Sequence, residues 1–484
     1  MTHGHIYDMI IVGGGPGGYT AALYAARAGL DTLVLEKLSA GGQMALTQQI
    51  DNYPGFEDSV DGFTLAEKMQ VQAERFGART EYAQVERLDL PEGKSELEVR
   101  RILEGIASKN TVFPSVFRGA GAYRHYIPSI VKSVTSKETF LTAYTPYQAE
   151  ISQGVLQSIF EYQTMICALT GMDASNASVY DGASAAAEAV AMCRDRKRNT
   201  VLVSAAAHPM VLQTIETYCF GNGMEVKTVP VKNGFTDQEA LGALLDDTVA
   251  CFYLQQPNYY GRIESAADIG EAVHGCGGKF IMGVNPIAMA VLKTPGECGA
   301  DIAVGEGQPL GLPLSFGGPY LGFMAAKSAM ARKLPGRIVG ETADHDGRRA
   351  YVLTLQAREQ HIRREKASSN VCSNQALCAM TAAVYLAAMG AKGLRQAAEG
   401  CMAHARYAAE RICSVPGFDM VYPGPYFHEF VTTCPVKPER LLEGLALRGI
   451  LGGLPVESGI LWCATEMNTR QEIDALEAAI REVC

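Results

Sequence analysis

The sequence predicts an α/β protein in two parts. A truncated Rossmann-like βαβ module comes first, followed by a large domain with a mostly parallel sheet, helices on both its faces and a smaller α+β unit at its end. Three observations predict this. Residues 9–18 read MIIVGGGPGG, an apolar strand running straight into a glycine turn. Between Thr200 and Val304 short apolar runs alternate with helical stretches. At 484 residues the chain is also too long for one typical domain.

Composition narrows the function classes. Hydrophobic residues make up 48%, enough for large cores, and charged residues 19%, which argues against disorder. A formal charge of −10, with no basic stretch interleaved with aromatics, gives no support to a nucleic-acid role. No apolar run approaches the roughly 20 residues of a membrane span. The opening MTHGHIYDMI carries no Lys or Arg before its apolar run, so it reads as a buried strand and not as a signal peptide. All 13 cysteines follow residue 166, and no two form a C-x-x-C pair. Many lie in apolar helical surroundings, as Cys167 and Cys378 do, so reduced cysteines in a cytoplasmic protein are expected, with no metal site.

In chain order, strand Met9–Val12 leads into Gly13-x-Gly15-x-x-Gly18, helix Tyr19–Ala28 and strand Thr32–Leu35, which ends at Glu36. The first glycine permits a tight turn, the second lets backbone amides approach a pyrophosphate, and the third lets helix and strand pack closely. Glu36, about 20 residues on, is placed to accept ribose hydroxyls. An amphipathic helix over Thr64–Phe76 comes next, and the polar stretch Pro91–Ser95 reads as a junction. The expected domains are 1–90, the junction 91–95, a large domain 96–338 and a small one 339–484.

Beyond the junction, ELEVRRILEGIASKN is an amphipathic helix, and 119–150 is rich in glycine and aromatics. Helix Ile151–Leu169 precedes a loop feeding another helix near Ala185. Strands are expected at Thr200–Ser204, Glu225–Pro230, Val249–Leu254, Lys279–Gly283 and Asp301–Val304. The small domain is expected to hold helices Asn374–Ala388 and Gly393–Ile412, with short strands near 418–432.

Several local features admit two readings. Asp181-Gly182-Ala183-Ser184 opens a helix, so its amides and the Ser184 hydroxyl either converge on an anion or form an ordinary cap. Tyr144 and Tyr147 flank a proline, with Gln148 after them; they make either a stiff aromatic wall for a small ligand or a core turn. His361, Arg363, Arg364 and Lys366 form a basic cluster that either positions an anionic partner or is a solvated helix face.

Two family resemblances sharpen these readings. GGGPGGYTAALYAARAGLDTLVLEK, Gly41-Gly42-Gln43 and Asn52-Tyr53-Pro54-Gly55-Phe56 resemble the opening of thioredoxin reductases, up to about residue 90. That resemblance implies FAD contacts from Gly13, Gly15, Gly18, Glu36, Gly42 and Gln43. The NADPH domain, the redox C-x-x-C and the returning segment of that family have no counterpart here, so no disulfide reductase activity is expected.

The remainder resembles fold-type I pyridoxal-phosphate (PLP) enzymes and, more closely, subunit 1 of two-subunit glycine dehydrogenase (decarboxylating), the P-protein of the glycine cleavage system. AYTPYQAEISQGVLQSIFEYQTMICALTGMD, NASVYDGASAAAEA, GADIAVGEGQPLGLPLSFGGPYLGFMA and QAREQHIRREKASSNVCSNQAL carry the resemblance. It implies that His208 stands where relatives stack a ring on the cofactor. Asn285 stands where catalytic relatives have a pyridinium-binding Asp, and Gln308-Pro309 replace their His-Lys pair. Neither Gln nor Pro forms an imine. The resemblance therefore implies that PLP and its lysine belong to subunit 2, at an interface this chain completes, with the lipoylated H-protein as second partner. Tyr144, Tyr147, Gln148, Ser184, His208, Asn285 and Gln308 are its cofactor-proximal candidates. It also implies several dozen residues ahead of Glu96 whose place the reductase-like piece takes. The alternatives are an FAD-dependent pyridine-nucleotide-disulfide-type oxidoreductase and an inactive fusion product.

Overall fold

A computed structural model describes residues 5–51, 53, 56, 58–88, 93–141, 147–195, 197–356, 360–367, 369–371 and 373–484, with only the backbone of His361 and Glu365. Tyr144, Asn52, Pro54, Gly55 and part of the expected 91–95 junction lie outside these. The chain divides into two units, Met1–Asn110 and Thr111–Cys484. The division thus falls beyond the expected junction.

In the N-terminal unit, strands β1 (Met9–Val12), β2 (Thr32–Glu36) and β3 (Arg79–Tyr82) form a parallel sheet in the order β1-β2-β3. Helix α1 (Pro16–Arg27) starts earlier than expected because Pro16 occupies its first turn, where a missing N–H costs nothing. Gly13 sits at φ 103°, open to glycine and strained for other residues. Asp61 caps α2 (Gly62–Arg75) by accepting from the Thr64 amide. The core is small and alanine-rich, centred on Tyr19, Ala22, Val34 and Ala66. Strand β1, which the sequence reads as buried, lies at the sheet edge and leaves Met9, Ile10 and Val12 exposed. Helix α3 (Glu96–Ala107) opens on a Ser95–Glu98 capping box and buries none of its side chains. It falls in this unit, although the sequence assigns it to the large domain.

The C-terminal unit carries a seven-stranded sheet. Helix α4 (Gln153–Thr170), which ends on Gly171 at φ 68°, leads to β4 (Ala174–Ser175) and α5 (Gly182–Cys193). Then come β5 (Thr200–Ser204), α6 (Pro209–Asn222), β6 (Glu225–Val229), β7 (Val249–Gln256), α7 (Ala266–Gly275), β8 (Lys279–Val284), β9 (Ile302–Glu306) and β10 (Gly322–Ala326). The sheet order is β4-β10-β9-β8-β7-β5-β6. β6, β5, β7, β8 and β9 run parallel, while β10 is antiparallel to β9 and to β4. The five strands expected from sequence are these parallel ones. All but edge strand β6 are buried on both faces and read as near-continuous apolar runs, whereas β6 reads EVKTV and is partly exposed. Two clusters cover the faces, one around Phe252, Phe280 and Phe323 and the other around Val201, Tyr253 and Ile281.

The smaller part contains α8 (Ala376–Cys413), a three-stranded antiparallel sheet of β11 (Glu429–Thr432), β12 (Leu454–Val456) and β13 (Gly459–Cys463), and α9 (Arg470–Val483). Strands were expected only near 418–432, and two of the three lie later. Its core around Trp462, Phe418 and Phe430 also takes Phe117 from the start of the unit, so this part is not continuous in sequence. The two helices expected in α8 are one element broken at Gly390 (φ 57°). It is the one described helix long and apolar enough to cross a membrane, yet its apolar face, Ala379, Ala382 and Tyr385 included, packs into the core.

Candidate functional site

A cavity of about 630 Å³ opens at the carboxyl ends of β7, β8 and β9 in the C-terminal unit. Open α/β sheets place ligands there because strand ends and helix starts converge. Gln255 and Pro257 come from the end of β7, Val284 and Asn285 from β8, and Gly305 and Glu306 from β9. The start of α5, His208 ahead of α6, the 120–123 loop and His428–Glu429 complete the wall.

The start of α5 would be the place for a phosphate, and two of its amides are already engaged by carboxylates. Asp181 accepts from the Ser184 amide at 2.7 Å, and Glu306 Oε2 accepts from the Gly182 amide at 3.0 Å. A Cβ on Gly182 would come within 2.8 Å of the Glu306 backbone nitrogen, so only glycine lets the helix press this closely on the strand end. Glu306 Oε1 takes two more amides, from Gln308 at 2.9 Å and Leu321 at 3.1 Å. Burial pushes the Glu306 carboxyl up to about 7 against the pull of these amides, and nearby Asp181 adds to the rise. Ser184 lines the cavity. The helix cap is formed by Asp181, which accepts from the Ser184 amide.

Gln308 corrects the sequence reading. It was expected beside the cofactor, but it is 1% exposed and does not line the cavity, whereas Pro309 does. Gln308 Oε1 accepts from the Tyr123 amide at 2.8 Å, and Nε2 donates to the Tyr123 and Leu312 carbonyls at 2.9 and 2.8 Å. The side chain is a clamp between the β9 turn and the 120–123 loop. An amide meets both a donor and acceptors there.

Asn285 lines the cavity, and its amide oxygen is committed. Its Oδ1 accepts from the amides of Ile287 (2.9 Å) and Ala288 (3.2 Å), so Nδ2 faces His428 Nε2 at 3.3 Å. His208 lines the cavity too. Its Nδ1 accepts from the Met210 amide at 3.1 Å, so Nε2 carries the proton and donates to the Ala120 carbonyl at 2.9 Å. Burial holds its pKa below the ordinary histidine value, so the ring is neutral at pH 7.

Tyr147 and Gln148 are not in the cavity wall. Tyr147 donates to Asn374 Oδ1 and lies under the Arg337 guanidinium, and Gln148 is exposed. Of the basic cluster, Arg363, Arg364 and Lys366 are exposed on a short turn, and none of these three lines the cavity. Of the nearby lysines Lys279, Lys293 and Lys327, the first pairs with Asp301 and the last donates to the Gly299 carbonyl, and none lines the cavity.

Sequence reasoning missed Tyr123, Glu306, His428 and Glu429. Glu429 is 3% exposed, accepts from the Ala120 amide (2.6 Å) and the Tyr123 hydroxyl (2.8 Å), and is pushed up to about 7 by burial. Nothing local announces it, because its partners lie some three hundred positions away in the chain. Glu306 was within reach, standing two residues before Gln308 at a strand end.

In the N-terminal unit, the Gly14 amide donates to Glu36 Oε2 at 2.5 Å and the Lys37 amide to Oε1 at 2.7 Å. The glycine turn is as tight as expected, since a Cβ on Gly18 would overlap the Gly13 carbonyl oxygen at 2.0 Å. Gly42 and Gln43 stand in a 3-10 turn, where a Cβ on Gly42 would come within 3.7 Å of the Gly15 Cα.

The sheet order, the antiparallel β10 and the cavity define a fold-type I PLP-enzyme scaffold, and a solved glutamate decarboxylase from Lactobacillus brevis shares that fold (TM-score 0.62, 13% identity, 83% of this chain and 96% of that one). The cofactor itself does not fit this chain. The imine-forming lysine is absent from the matching position, Asn285 Oδ1 is spent on backbone amides, and Asp181 and Glu306 already hold two amides of the phosphate cradle.

Residues 79–480 match the model of the glycine cleavage system P-protein family, and residues 7–132 that of pyridine nucleotide-disulphide oxidoreductases. The probable glycine dehydrogenase (decarboxylating) subunit 1 of Moorella thermoacetica is 50% identical over 404 residues, 82% of this chain and 91% of the relative. A crystal structure of glycine decarboxylase (P-protein) of the glycine cleavage system, in inhibitor-bound form, superposes with a TM-score of 0.78 at 40% identity, over 90% of this chain and all of that one. The chain belongs to the glycine cleavage system P-protein family, as a protein of the subunit 1 type.

Proposed function

We propose that this chain is the non-catalytic subunit of a two-subunit glycine decarboxylase. The PLP and its lysine sit on subunit 2, at an interface this chain completes. The assembled enzyme decarboxylates glycine and passes the aminomethyl group to the lipoyl arm of the H-protein, in the cytoplasm. The single observation that carries the reading is Gln308, a buried clamp at the position where relatives bear the His-Lys pair. Every described cysteine is free, in keeping with a reducing compartment.

On this reading the chain contributes shape. The clamp by Gln308 and the bond of His208 to Ala120 hold the 120–123 loop against the sheet. We assign the domains as a reductase-like module before the junction, a PLP-transferase-like large domain to 338 and a small domain after it. A second reading, a flavin-dependent oxidoreductase, draws on the glycine turn and the match over residues 7–132. Flavin absorbance of the purified chain separates the two.

The test is co-expression with subunit 2, then glycine–bicarbonate exchange with and without residues 1–95. Exchange is expected only when both subunits are present. Its absence with both forms of this chain sinks the proposal.

A further inference from the structure

The turn between β9 and β10 displays a side chain that the fold does not use. Four successive residues stand at positive φ, Ser315 at 44°, Phe316 at 54°, Gly317 at 108° and Gly318 at 141°. Glycine takes such angles freely, whereas a bulky side chain there is strained. Phe316 nonetheless holds the second place, and its ring is fully exposed, so no burial within this chain offsets the strain. The turn keeps its shape by its own bonds. The Gly317 amide donates to the Leu314 carbonyl at 3.0 Å, the Gly318 amide to the Ser315 carbonyl at 3.2 Å, and the Tyr320 hydroxyl to the Leu314 carbonyl at 2.8 Å. None of these bonds needs an aromatic ring at position 316.

The surroundings are those of a contact surface. No charged residue stands between Glu306 and Lys327, although Pro313, Leu314, Ser315, Phe316 and Gly317 are all exposed. Loss of charge around a projecting aromatic marks the centre of protein interfaces. Gly317, Pro319 and Tyr320 line the cavity, so the turn forms one lip of its mouth, and Tyr180 and Met210 of the same wall are exposed as well. Phe316 itself stands outside the cavity wall, so a small ligand bound within would leave its ring bare. A protein surface laid over the mouth would cover it.

We propose that Phe316 is the anchor by which this chain docks subunit 2, its ring filling an apolar pocket on that subunit. The proposal rests on the reading of this chain as one half of a two-subunit enzyme. A second copy of this chain is the poorer occupant. Two copies would bring together formal charges of −10 each, across mouths lined by Asp181, Glu306 and Glu429. Because the turn is fixed before binding, it docks with little further loss of freedom. The strain at Phe316 is then the cost of presenting the ring to its partner.

Calorimetric titration of the full chain with purified subunit 2, joined to sedimentation of the chain alone, tests this. Phe316→Asn, which takes the left-handed conformation with less strain, should weaken binding of subunit 2 tenfold or more. Its melting temperature should stay level or rise, because the change relieves strain and removes no packing. Leu447→Asn, at another exposed apolar residue that does not border the cavity, should bind as the unmodified chain does. Equally tight binding by Phe316→Asn and the unmodified chain would overturn the proposal and leave the subunit reading standing. No binding by the unmodified chain would sink that reading as well. Three other results would also overturn the proposal: a lower melting temperature in Phe316→Asn, equal weakening in Leu447→Asn, or self-association of the unmodified chain that Phe316→Asn abolishes.

Discussion

Gln308→Ala is expected to lower the unfolding free energy of the C-terminal unit by about 3 kcal/mol. The side chain makes three hydrogen bonds at 1% exposure, so truncation strips the Tyr123 amide and the Tyr123 and Leu312 carbonyls of their partner where water does not reach. Each bond is worth about 1 kcal/mol net, and stranded buried groups cost at least as much. Urea unfolding of the two proteins measures the difference. A change under about 0.5 kcal/mol, the range of ordinary surface substitutions, would mean that the clamp is not structural.

Glu306→Gln is expected to flatten the dependence of stability on pH. Burial raises the folded pKa to about 7, against roughly 4.3 for an unfolded glutamate. Between those values the folded state holds the extra proton. The contribution is therefore fully present below the unfolded pKa and is lost as the pH rises through the folded one. Relative to pH 5, the unmodified chain should lose roughly 3 kcal/mol from this group at pH 8. Glutamine carries no such proton, so the difference between urea melts at pH 5 and pH 8 should shrink by that amount. Equal slopes in both proteins would show that Glu306 titrates normally.

Much of the fold was legible in the sequence because its central strands are buried on both faces. Runs such as Val249–Leu254 and Lys279–Gly283 have no polar alternation to confuse with an exposed strand. β4 and β10 were not legible. The first has two residues, and GFMAA in the second lacks the β-branched residues that mark strands. The helix starts were displaced where Pro16 and Asp61 set the boundary ahead of the apolar pattern.

The site was legible in its loss and not in its gain. The missing lysine is plain at Gln308-Pro309, but the clamp role of Gln308 depends on Tyr123, whose nearness no local spacing reveals. The acidic wall joins residues 181, 306 and 429 through the sheet topology, so charge counted along the chain does not expose it. The glycine turn behaves as its pattern predicts, on a unit whose buried core is Tyr19, Val34 and a set of alanines, far smaller than the cores of the second unit.

The most direct test of the central claim is borohydride reduction of the assembled two-subunit enzyme loaded with PLP, with peptide mass spectrometry of the product. The account predicts a pyridoxyl-modified lysine on subunit 2 and none on this chain. Stoichiometric pyridoxyl-lysine on this chain would contradict it.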